Sequence, residues 1–217
     1  FRSPNGLGFD DSGNLFVTDN QSDWVETSTL YHVKKDRFFG HPASLVWQEE
    51  WKDADPFSLP ISTLDSLRTK ASVLFPHGIM ANSPTQPLLI KNNEQFKDFE
   101  GQFLIGEMNR DRIFRVMLEE VAGEFQGACI PFVDGQGLRV GNNRLVFGPD
   151  GSLWVGQIEH GWRGDQGIQK IMRVELVLEE LKPGYVYELK LDSIFNQAGK
   201  PLDNQLIAYT LNNLLPS

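Results

Sequence analysis

Eight polar side chains stand where short apolar runs give out. Asp19, Asn20 and Gln21 follow Leu15-Phe16-Val17-Thr18; Glu107, Asn109 and Arg110 follow Phe103-Leu104-Ile105-Gly106; Gln157 and Arg163 follow Leu153-Trp154-Val155-Gly156. If the three runs are equivalent strands, their ends share one rim, and these groups converge near a central channel. Oxygen donors gathered in this way suit Ca2+, which takes about 6–8 oxygen ligands. The plainer alternative is that short polar side chains at strand ends satisfy turn backbone.

The histidines add acid–base chemistry. His41 lies in Phe38-Phe39-Gly40-His41-Pro42 and His77 in Phe75-Pro76-His77-Gly78-Ile79, both in Gly/Pro loops with aromatic neighbours. An imidazole in such a loop can take a proton near neutral pH; a loop histidine bonded to backbone is the other reading of each. His160 sits beside Arg163 and Asp165, a mixture that could hold an anionic group. His32 falls within a β-rich run and reads as structural. Zinc-protease, nucleophile-elbow, P-loop and dinucleotide signatures are all missing.

The elements that must position these groups are repeated hairpins. Leu7 to Gln21 reads LGFDDSGNLFVTDNQ, and Leu145 to Gln157 reads LVFGPDGSLWVGQ, 138 residues further on. Each has an apolar run, a turn ending in Ser-Gly or Asp-Gly, and a second apolar run ending in polar residues. A partial third copy runs from Gly101 to Glu107 and on through Arg112 to Leu118. Short strands recurring with Gly-rich turns predict an all-β fold, specifically a partial β-propeller over 1–172. An insertion near 47–74 interrupts it, with a short helix at Ser62–Lys70 capped by Ser62 or Thr63. Residues 173–217 lose the blade turn. Strands at Val174–Leu178, Tyr185–Leu191 and Ile207–Leu211 there predict part of a β-sandwich module.

Bulk composition narrows the function. The 217 residues carry a formal charge of −9, which argues against a broad nucleic-acid surface. No apolar run reaches the ~20 residues that span a bilayer. The single cysteine, Cys129 in an apolar stretch, rules out an internal disulfide and reads as a small buried hydrophobe. The chain starts at Phe1 without a signal sequence and reads as a piece of something longer, so an export signal could precede it.

Leu15-Phe16-Val17-Thr18-Asp19-Asn20, then Tyr31-His32-Val33-Lys34 and Phe38-Phe39-Gly40-His41-Pro42, resemble the soluble sugar dehydrogenase-like propellers of the glucose and sorbosone dehydrogenase type, which use pyrroloquinoline quinone. The block Phe75-Pro76-His77-Gly78-Ile79-Met80-Ala81-Asn82-Ser83-Pro84-Thr85-Gln86-Pro87 is similar to the large secreted membrane-bound-dehydrogenase proteins of planctomycete-type bacteria. The resemblance covers about residues 1–172. It implies an oxidoreductase that oxidises a sugar or polyol at the channel mouth, in a secreted or periplasmic protein. His77 or His41 would be the base, and Arg110, Arg163, Gln157 and Asn109 would hold the quinone. Asp19, Asn20 and Glu107 would hold Ca2+. Such proteins often carry a cytochrome module as partner, but no CxxCH occurs here to attach c-type haem. Position 41 is His where the dehydrogenase loop often has Trp. The alternative is a non-catalytic glycan- or protein-binding propeller, with Trp24, Trp154 and Trp162 as stacking platforms.

Overall fold

Asp10 closes the first hairpin: its Oδ1 accepts from the backbone N–H groups of Ser12 (2.9 Å) and Asn14 (2.8 Å). Gly13 takes the positive φ of 83° that the turn demands. Asp150 does the same for the second copy, accepting from Ser152 N–H at 3.1 Å and its hydroxyl at 2.6 Å. The exposed Asp150 carboxyl is held below its ordinary range by that hydroxyl first and then by the amide. Both hairpins read from the sequence therefore form. The computed structural model describes residues 1–53, 55–138, 140–157, 183–191, 199–201 and 206–213.

The strands are β1 (Gly6–Phe9), β2 (Leu15–Asp19), β3 (Ser28–His32), β4 (Val73–Phe75), β5 (Pro84–Leu89), β6 (Phe103–Glu107), β7 (Arg112–Val121), β8 (Glu124–Asp134), β9 (Asn142–Phe147), β10 (Leu153–Gln157), β11 (Tyr185–Lys190) and β12 (Leu206–Leu211). They make three sheets: β1-β2-β3-β4, then β5-β6-β7-β8-β12-β11, then β9-β10. Every pairing between these strands is antiparallel. The fold is thus all-β, and the described sheets do not form a closed ring. Strands β11 and β12 come from the segment expected to start a separate module; β12 bonds onto β8, with Tyr209 opposite Ala128.

Alternation along the middle sheet feeds two cores. Phe103 and Ile105 face the first sheet and meet Phe16, Phe75 and Phe114 in one buried cluster. Leu104 faces the other way, with Ile90, Ile113 and Leu145 towards the third sheet. Cys129 lies fully buried in the first cluster, where burial pushes its thiol far up from the ordinary range. Close approach between sheets depends on glycine. A Cβ at Gly8 would fall 2.2 Å from the Pro87 carbonyl oxygen, and one at Gly106 only 2.1 Å from that of Asn142.

The insertion forms short 3-10 turns and one helix, α1 (Ile61–Leu67). The expected caps do not act: Pro60 stands at the N-cap, and no side chain bonds there. Proline pre-sets the φ of the entering chain, so the turn starts ahead of Ser62 and Thr63 and leaves both inside the helix. The expected strand at Val174–Leu178 lies outside the described residues. Among the described residues no helix is long and apolar enough to cross a membrane.

Candidate functional site

Register brings the three strand ends to one edge. Gly6 pairs with Thr18, Pro84 with Glu107, and Asn142 with Gln157. The entry of each hairpin's first strand thus lies beside the exit of its second. The residues singled out at those exits are close to one another through bonds, and their main partner is backbone.

Asp19 Oδ2 accepts from Arg2 N–H and Oδ1 from Ser3 N–H, both at 2.7 Å, with Asn20 N–H at 3.0 Å. Glu107 repeats the arrangement one sheet later. Its Oε1 accepts from Asn82 N–H (3.1 Å) and Ser83 N–H (2.5 Å), and its Oε2 from Asn109 N–H (2.8 Å). Each acid thereby clasps two consecutive amides of the chain entering its hairpin, Arg2-Ser3 before Pro4 and Asn82-Ser83 before Pro84. Gln157 holds the corresponding place in the third hairpin, and its Nε2 donates to Asn142 Oδ1 at 2.7 Å. Side-chain bonds then join the clasps. Ser83 Oγ donates to Asn20 Oδ1 (3.2 Å), and Asn142 Nδ2 donates to the carbonyl of Arg110 (3.1 Å).

These residues do not fit the Ca2+ site expected of them. Asp19 and Glu107 each accept three backbone N–H bonds, which fill three of the roughly four lone-pair directions of a carboxylate and turn the positive ends of those amides towards any cation. Among the described residues no three His, Cys, Asp or Glu side chains gather as a metal site. Glu107 is fully buried. Burial raises its carboxyl above the ordinary Glu range; the three amide bonds and Arg110 oppose that shift.

The Glu107 clasp continues into a braced turn. Arg110 donates to the Gly78 carbonyl; Arg112 Nη1 donates to those of Ile79 (2.5 Å) and Met80 (3.0 Å). Arg112 is itself held by Asp134, Nε at 2.9 Å and Nη2 at 2.6 Å. Met80 and Ala81 anchor the turn in the core. His77, Gly78 and Ile79 are left exposed at its tip. Arg110 and Asn109 are therefore tied into the turn, and Arg163 lies outside the described residues, as do His160 and Trp162.

His41 lies elsewhere, over the outer side of the first sheet. Its Nδ1 accepts from Ala43 N–H at 3.1 Å, capping the turn that begins at Pro42, and its Nε2 lies 3.4 Å from Asp23 Oδ1. Neither nitrogen is open to a substrate proton. His41 instead walls a cavity of about 160 Å3 that also touches Asp19, Asn20, Trp24, Tyr31 and Arg68. Burial raises the Tyr31 phenol, while the Thr29 hydroxyl beside it acts in the opposite sense. His32 is structural as expected: it stacks on Phe16 and meets Phe125 edge-on, and burial lowers its pKa.

Sequence reasoning missed Arg112, Thr29 and Arg68. Arg112 left a trace, as a charge breaking an apolar strand; it is 8% exposed. Thr29 and Arg68 left none, because the cavity closes only when the loop at residues 38–41 and residues 68–69 of the insertion come together beside β3.

No protein-family model matches this chain, and no curated protein does. A solved structure from Thermus thermophilus, described as a "putative oxidoreductase (glucose dehydrogenase)", is similar at 18% identity with a TM-score of 0.45. The match covers 71% of this chain and 38% of that one, so this chain spans well under half the length of that structure.

Proposed function

We propose that this chain is part of a dehydrogenase-type oxidoreductase that oxidises a hydroxyl of a sugar or polyol, with the substrate at the strand-end rim and His77 as the base. One observation carries the reading: His77 is an exposed imidazole on a turn fixed by Glu107, Arg110 and Arg112. A free base on a rigid support is what proton abstraction from a hydroxyl requires. Oxidation needs an acceptor for the hydride as well. The quinone and Ca2+ belong to this reading through the sequence resemblance, and neither Asp19 nor Glu107 is assigned to the metal. The same engaged carboxylates favour the second reading, a non-catalytic propeller that binds glycans or a protein.

The test is dye-coupled oxidation of a sugar and polyol panel, with and without pyrroloquinoline quinone and Ca2+. Turnover that falls at least about a hundredfold in His77→Gln, with folding unchanged, is expected, since a positioned base contributes about 10²–10⁴-fold. Activity indifferent to His77→Gln would remove the base from the mechanism. Binding with no turnover under any condition would favour the second reading.

A further inference from the structure

We infer that the insertion is a docking surface for a basic, amphipathic protein segment, a helix whose lysines or arginines flank an apolar face. The insertion and the turn leading into it keep a small core of their own. Pro42, Leu45, Pro56 and Leu64 are buried, and the base is tied where Thr69 N–H donates to the Phe38 carbonyl at 3.1 Å. The largest apolar side chains are left out of that core. Trp47 is 88% exposed, Ile61 77% and Phe57 67%. Trp47 ends the 3-10 turn Pro42–Trp47, which packs against the turn Pro56–Ser58 that carries Phe57. Ile61 opens α1 just beyond. Single apolar groups on a surface need no explanation. Three large ones on one small unit, with a tryptophan almost wholly in water, mark a contact surface, and tryptophan is a residue type that anchors such contacts.

Charge selects the occupant. Between residues 47 and 65 five acids, Glu49, Glu50, Asp53, Asp55 and Asp65, stand against the one base Lys52. Lys52 pairs with Glu49, and Arg68 pairs with Asp65 at 3.0 Å. Lys70, the remaining base, lies at the foot of the insertion shortly before β4. Glu50, Asp53 and Asp55 are exposed and have no ion partner among the described residues. They lie in the chain between Trp47 and Phe57. A cationic segment would neutralise these acids while its apolar face covers Trp47, Phe57 and Ile61.

The same acids oppose two other occupants. An anionic lipid surface would meet like charge beside the apolar side chains. A second copy would bring the same acids, on a chain of formal charge −9, against these.

The inference stands apart from the dehydrogenase reading, and its test uses binding alone, so either can fail without the other. The whole chain is titrated by calorimetry with a helical leucine–lysine peptide that carries leucine on one face, and the Trp47 indole resonance is followed by NMR. A scrambled peptide of the same composition tests charge alone. A leucine–glutamate peptide of the same pattern tests apolar contact alone. The patterned cationic peptide should shift Trp47 and bind at least about tenfold tighter than either control. Trp47→Ala should weaken it at least about tenfold, as loss of an aromatic anchor does. Asp53→Asn should weaken it less and flatten its dependence on salt. Both variants should keep the parent's thermal midpoint, because both side chains lie in water. Four results would overturn the inference. The scrambled peptide binds as well as the patterned one; Trp47→Ala binds as tightly as the parent; anionic phosphatidylglycerol vesicles shift Trp47 where the peptide does not; or sedimentation shows a dimer that Trp47→Ala dissolves.

Discussion

Asp19 and Glu107 occupy matching places in neighbouring hairpins and use the same three-amide grip, yet the surroundings differ. Asp19 holds residues 2 and 3, which are exposed, and above it the insertion leaves a cavity. Glu107 holds residues 82 and 83 beneath a turn that two arginines brace as well, and its side chain is fully buried. The lesson is that one local device can support an open pocket in one sheet and a rigid projecting tip in the next. Both acids are buried; what differs is the chain each one holds, exposed at residues 2 and 3 and braced by two arginines beyond residues 82 and 83.

That contrast is easiest to break by truncation. Glu107→Ala leaves three amides beneath the turn without acceptors and is expected to cost about 3–4 kcal/mol in denaturant unfolding. Asp19→Ala exposes its amides to water, which replaces the carboxylate, so about 1–2 kcal/mol is expected. Equal losses would mean that the exposure of the clasped chain does not separate the two.

A pH series sharpens it further. Because the folded protein raises the Glu107 pKa, the native state binds more protons than the unfolded chain between the ordinary Glu value and the raised one. Stability contributed by this group is full below the ordinary Glu value and declines as pH rises through that window. Glu107→Gln should flatten that decline in the denaturation midpoint measured from acid to neutral pH; an unchanged slope would locate its source elsewhere.

The smallest effect is expected at the link between the two clasps. Ser83→Ala removes the bond to Asn20 and should cost less than about 1 kcal/mol, visible mainly as faster amide exchange at Asn20 and Ser83.

The hairpins were legible because Asp-x-Ser-Gly and Asp-Gly prescribe their own turns; Gly13 and Gly151 adopt the φ those turns need. The shared edge was legible too, since equal strand ends in repeated hairpins must align. The roles of the acids were not. Sequence shows that Asp19 and Glu107 are carboxylates at strand ends, but whether such a group faces a channel or its own entering chain depends on where residues 2–3 and 82–83 run. The cavity was hidden for a related reason: Thr29, Arg68 and His41 meet only through tertiary contact of the insertion. For His41, the cap on Ala43 N–H is a local bond of the kind its loop setting allowed as the alternative reading.

Cys129 gives the molecule a built-in reporter. Its thiol sits where β8 meets β12, buried and directed at the Ala208 carbonyl, and it is the chain's lone sulfhydryl. A thiol so far from its reactive anionic form is silent towards alkylating reagents while the strands stay zipped. Its labelling rate therefore clocks how often the β8–β12 seam comes apart, without any engineered probe.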